Sequence, residues 1–165
     1  GKLYPGAIRL GLVELSGYPS VPNHRGGPLS MEQHYQLMQW ACDCSEHVLH
    51  LFGKRIDQRL ENALSVAKAW KQGKASVGDA RKASLEAIAV ANECTDNTAI
   101  AVARAVGHAV ATAHMADHSL AQAWYALKAV KSAGGPIDEE RRWQNEHLSS
   151  EVRDLVLTAR KIRNI

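Results

Sequence analysis

The residues of this chain best suited to chemistry gather around its histidines. His114-Met115-Ala116-Asp117-His118 places two imidazoles at i and i+4, with His108 a little upstream. On an unbroken helix both rings share a face, where they can ligate a metal while Asp117 adds an oxygen ligand or orients a ring from behind. His47 and His50, at i and i+3, can complete such a site across a bundle. The competing reading is that His114 and His118 are buried polar residues bonding helix ends. Helices that carry metals supply a further acidic residue at matched spacing, and none stands here, so no metal and no cofactor is expected. Cys44 and His47, one turn apart, have the spacing of a thiolate–imidazole pair. Cys44 also lies on the stripe of Trp40 and Leu51, and it reads as a core cysteine.

Among the charged residues, Asp57, Arg59, Arg104, Arg141 and Arg142 lie at or inside helix boundaries, where they either tie helices together or line a recognition surface. Arg104, flanked by Ala103 and Ala105 in the most apolar stretch, is expected to be buried with an acidic partner. There is no G-x-G-x-x-G, no Walker A loop, no H-E-x-x-H and no carboxylate cluster suited to two metals.

The elements that position these residues are helical. The chain has 25 alanines in 165 residues, and 22 of them fall between Ala63 and Ala133. Alanine favours helix and disfavours strand. Ser30-Met31-Glu32-Gln33 is a capping box that opens a helix through Leu37, Trp40, Cys44 and Val48, closed by Gly53. Asp57 opens a second helix that Gly73 closes. Ser76-Val77-Gly78-Asp79 opens a third, running to about Glu93, and Thr95 or Asp96 caps a fourth. The stretch 97–132 is too long for one straight helix in a domain of this size. The spacing predicts a break near His114–Asp117, with Asp117 as N-cap of the helix through Trp124 and Val130. Asp138 is expected to cap a short helix holding Trp143, and Ser149 or Ser150 a last one through Arg160.

Two alanine ladders, Ala101-Ala105-Ala109-Ala113 and Ala83-Ala87-Ala91, predict closely packed central helices. Trp40, Trp70, Trp124 and Trp143 then fill the perimeter. The expected architecture is an all-α bundle of about six or seven helices over residues 30–165. Before it, residues 1–29 form an arm punctuated by Pro5, Pro19, Pro22 and Pro28. No motif recurs at the period of a helical solenoid.

Composition bounds the function. Mean hydropathy is −0.27, and no apolar run approaches the ~18 residues of a spanning helix, so no membrane role is expected. A net charge of +3 is too mild to argue for nucleic acid but permits an acidic partner. Three cysteines, Cys42, Cys44 and Cys94, outline no disulfide framework, and the opening residues show no charged-then-apolar signal pattern. A reducing cytoplasm is expected.

Several stretches, taken in order, carry a family likeness. They are Trp40-Ala-Cys42-Asp-Cys44-Ser-Glu46-His47, Asp57-Gln-Arg59 leading to Ala69-Trp70-Lys-Gln-Gly73, Ala103-Arg104-Ala-Val-Gly107-His108 continuing to His114-Met-Ala-Asp117-His118, and Glu140-Arg141-Arg-Trp143-Gln144. Between about Leu29 and Leu157 the chain resembles the Imm-5-like immunity family of bacterial polymorphic toxin systems. Leu60 stands where the family usually has proline, and His108 where glutamine is common. The resemblance implies an all-α protein, made beside a toxin and protecting the producing cell by binding it, and it does not imply an enzyme. The matching polar positions are Asp57, Arg59, Arg104, His114, His118, Arg141 and Trp143, which either contact the toxin or hold the fold. Arg59, His118 and Arg141 are the expected exposed contacts. The readings from other classes are a small metal-dependent enzyme on the His114/His118 helix and a plain helical scaffold.

Overall fold

The computed structural model describes residues 29–165, so the expected N-terminal arm lies outside the described residues except for Leu29. Seven α-helices follow one another: α1 Met31–Val48, α2 Gln58–Lys71, α3 Val77–Glu93, α4 Asn97–Ala111, α5 His118–Ser132, α6 Ile137–Glu146 and α7 Arg153–Arg163, with a 3-10 turn at Leu49–Phe52 after α1. No strand occurs among the described residues. None of their helices is long and apolar enough to cross a membrane.

Local chemistry sets most of the boundaries. The Ser30 and Ser76 hydroxyls accept from the backbone N–H of Gln33 and Asp79, whose side chains accept in return from the cap residues' N–H groups. Asp57 accepts from the Arg59 N–H. At the fourth helix the cap is Asp96, which accepts from the Ala99 N–H at 2.9 Å. Gly53 and Gly73 adopt φ of +142° and +75°, conformations that a side chain opposes. The left-handed residue that ends α7 is Asn164, the non-glycine residue best suited to that region.

Two expected caps are corrected, and a third holds its position without making the capping bond. The break falls where the sequence places it, in the turn between Ala111 and His118, and Asp117 takes the N-cap position. Its backbone is already helical there, at φ −69° and ψ −10°, which turns its carboxylate away from the helix N–H groups. Asp138 lies inside α6, whose N-cap is Pro136, and it receives a hydrogen bond from Arg141 Nη1 instead. Val152, not Ser149 or Ser150, precedes α7; Ser149 contributes its carbonyl, which accepts from the Val152 and Arg153 N–H groups.

The alanine ladders explain how the helices assemble. α4 lies in the middle, against α1, α2, α3, α5 and the 3-10 turn. Ala101, Ala105, Ala109 and Ala113 are all buried, as are Ala83, Ala87 and Ala91 on α3. Gly107 continues the close approach, since a Cβ there would stand 3.3 Å from Ile88 Cγ1 and 3.7 Å from Ala87 Cβ. Ser84 Oγ donates to the Gly107 carbonyl at 3.0 Å and locks the register of the two helices. A first core lies among α1 to α4, with Met38, Leu60, Leu64, Trp70 and Val106. A second, with Leu37, Trp40, Leu120, Leu155 and Val156, joins α1 to α5 and α7.

Candidate binding site

The seven polar positions singled out from the sequence do not converge on one site. Asp57 and Arg59 form a tie between helices. Arg59 Nε and Nη2 donate to the two Asp57 oxygens at 3.0 and 2.9 Å, while Nη1 and Nη2 donate to the Glu93 carboxylate at 3.0 and 2.8 Å. The guanidinium thereby joins the start of α2 to the end of α3, and these bonds hold the Asp57 and Glu93 carboxyls below their ordinary values. Arg141 is likewise engaged, through Asp138 and the Ile165 carbonyl.

Trp143 is held between two histidines. The His47 ring stacks on one side with centroids 3.6 Å apart and planes 4° from parallel, and His147 stacks with it at 3.7 Å and 22°. His47 Nδ1 donates to Glu140 Oε2 at 2.8 Å, and His147 Nδ1 donates to the Trp143 carbonyl at 2.7 Å. The stack fastens α6 to α1. His47 therefore serves Trp143 and Glu140 rather than Cys44, which lies wholly buried in the second core. Burial pushes the Cys44 thiol well above its usual range and Cys42 up to about 12, so neither is a nucleophile.

The helix break separates the two predicted metal-site histidines. His114 lies in the turn and His118 opens α5, with ring centroids 5.0 Å apart. His118 is only 5% exposed, which corrects the expectation that it contacts a partner from the surface. Its Nδ1 shares a 2.9 Å hydrogen bond with His108 Nδ1, one ring donating and the other accepting. Burial drives its pKa down to about 2 and keeps it neutral. Asp117 is fully buried and neither carboxyl oxygen has a hydrogen-bond partner. Burial raises its pKa to about 7, against a small opposing effect of its own backbone amide. Among the described residues no three His, Cys, Asp or Glu side chains gather as a metal would require.

Arg141 lines a cleft of about 510 Å³ with Arg160 and Lys161; Arg104 opens onto a separate one, and its placement reverses the expectation of burial. Ala103 and Ala105 on either side are fully buried, but a helix turns about 100° per residue, and Arg104 emerges on the exposed flank. It has no acidic partner among the described residues; its guanidinium lies over the Tyr125 ring, 5.9 Å from the centroid. Around it, α4 and α5 enclose an open cleft of about 560 Å³, lined also by Asn97, Lys128, Lys131 and Ser132. No acidic side chain lines it. Beside it Lys128 Nζ lies 4.5 Å from the centre of the Trp124 ring. His108, one turn from Arg104 on α4, also stacks on Tyr125, centroids 5.1 Å apart and planes 8° from parallel. Lys128 and Lys131 carry no signal of this cleft in the sequence, since lysines at i and i+3 near a helix end look like an ordinary solvated face. Their pairing with the α4 arginine emerges only once α4 and α5 lie side by side.

What this arrangement can do chemically is hold negative charge: three cations and the Tyr125 ring line one cleft, with Trp124 beside Lys128. Fold and surface together describe an all-α protein equipped for binding. The family model described as Imm-5 like putative immunity protein matches residues 27–151, and the chain belongs to that family. No curated protein and no solved structure matches it.

Proposed function

We propose that this protein neutralises a toxin encoded beside it in a bacterial polymorphic toxin system, by stoichiometric association in the cytoplasm of the producing cell and without turnover. The observation that carries the reading, beyond family membership, is the cleft between α4 and α5. Arginine, tyrosine and tryptophan are the residues that dominate protein interfaces, and here Arg104, Tyr125 and Trp124 stand with two lysines on helices whose alanine-packed faces hold them still. Anchors already fixed in the free protein lose little entropy on binding. In this reading Arg104 touches the toxin, while Asp57, Arg59, His114, His118, Arg141 and Trp143 hold the helical domain of residues 30–165 together. Its interface has about the standard ~1,600 Å².

Co-expression tests the reading. The toxin domain encoded beside this gene arrests growth when produced alone. Growth returns when this protein is produced in at least equal amount, and the two elute together on gel filtration. A toxin that still kills in the presence of excess protein, with no complex formed, overturns it in favour of the plain scaffold.

A further inference from the structure

The cleft also specifies the chemistry of what it receives. Lys128 and Lys131 sit three residues apart on α5, so they repel one another across one helix face, and Arg104 adds a third positive charge from α4. Arg59, Lys68 and Arg141, by contrast, each meet a carboxylate within the protein. The negative end of the α5 dipole accounts for Lys131, in the last turn. It does not account for Arg104, which lies in the middle of α4. Arg104 has its guanidinium carbon 5.9 Å from the centre of the Tyr125 ring and meets no carboxylate among the described residues, and a guanidinium binds a carboxylate most specifically through paired N–H groups.

We propose that the cleft between α4 and α5 seats an acidic segment of the protein partner, one aspartate or glutamate carboxylate taking the edge of Arg104 and neighbouring carboxylates meeting Lys128 and Lys131. This rests on the reading that the protein acts by binding another protein. It goes further in fixing the partner's contact as an acidic stretch rather than an apolar or basic one. An acidic segment meets three cations that line one cleft without an acidic side chain among them, and charge complementarity of this kind accelerates encounter.

The test uses decaglutamate as probe and the amide NMR spectrum of the isotope-labelled protein as readout. The peptide is expected to shift the signals of Asn97, Arg104, Tyr125, Lys128 and Lys131 first. The double variant Arg104→Glu/Lys131→Glu should weaken its binding by about tenfold or more, whereas Lys82→Glu, a reversal on the exposed face of α3, leaves it unchanged. Shifts spread evenly over all basic surfaces, equal losses in the two variants, or sodium sulfate matching the peptide at equal charge would overturn the proposal. The toxin separates this failure from that of the broader reading. Undiminished toxin binding by the double variant sinks the acidic-segment proposal alone. Failure of the toxin to bind the wild-type protein, with decaglutamate still mapping to the cleft, sinks the immunity reading alone.

Discussion

Arg104 and Tyr125 come from different helices, and the guanidinium of the first lies 5.9 Å above the ring of the second. Neither residue makes the contact unless α4 and α5 are packed to their observed separation. The alanine ridge beneath Arg104 therefore controls the surface above it. Ala105 is fully buried in a cluster with Val48, Ala126 and Val130.

Ala105→Leu forces three further carbons into that cluster and is expected to cost ~1–3 kcal/mol. In a domain of this size each kcal/mol lowers the thermal midpoint by roughly 2–4 °C. Leu85→Ala, on a residue 67% exposed on α3, should change stability by no more than about 0.5 kcal/mol. A calorimetric scan in which Ala105→Leu melts with the wild type would show that the ridge is not close-packed.

The two helix families of evidence in the sequence, caps and alanine ladders, had different reach. Ser30, Asp57 and Ser76 were legible as caps because each solves a local problem, an orphan N–H within three residues. The ladders and the break before His118 were legible because spacing alone encodes them. The starts of α6 and α7 were not, since acidic and hydroxyl residues crowd both regions and only the final path of the chain decides which one caps. The exposure of Arg104 is not legible in the sequence because its neighbours there are buried, whereas its neighbours in the cleft are the cations of α5. The His47–Trp143 stack joins residues almost a hundred positions apart and leaves no local signature, although Trp143 and His147 stand one helical turn apart.

Asp117 and His118 are adjacent and should bend the pH profile of stability in opposite directions. Asp117 has a folded pKa of about 7, above its unfolded value of 3.8. The folded state then holds the extra proton, so its contribution is present below pH 4 and falls as pH rises to about 7, by up to ~1.4 kcal/mol per pH unit. His118 is depressed from 6.5 to about 2, so its contribution is present above pH 6.5 and falls on acidification. Between pH 4 and 6.5 the two slopes oppose one another. Asp117→Asn removes the first and should leave stability rising with pH across that window. Urea unfolding at closely spaced pH values gives the comparison, and identical wild-type and variant slopes would mean that Asp117 is not buried in its neutral form.

Thiol chemistry reports on the core. Burial raises all three thiols, but Cys42 and Cys44 are buried, whereas Cys94 is partly exposed at the end of α3. Iodoacetamide at pH 8 should label Cys94 alone in the folded protein and all three after unfolding, as read by peptide mass. Labelling of Cys44 in the folded state would place it outside the core.

Elemental analysis addresses the metal-enzyme reading. Protein purified without a histidine tag should carry less than one equivalent of zinc, iron or manganese. A stoichiometric metal lost on His114→Ala would instead establish a metal site at the helix break.

The measurement that bears most directly on the central claim is a calorimetric titration of this protein with the toxin domain encoded beside it. The account predicts a saturable one-to-one complex whose Kd rises about tenfold or more in Arg104→Glu/Lys131→Glu and hardly moves in Arg59→Lys, a change at a tie within the fold. Absence of binding by the wild-type protein, or full protection of cells at a small fraction of the toxin's concentration, would contradict stoichiometric neutralisation.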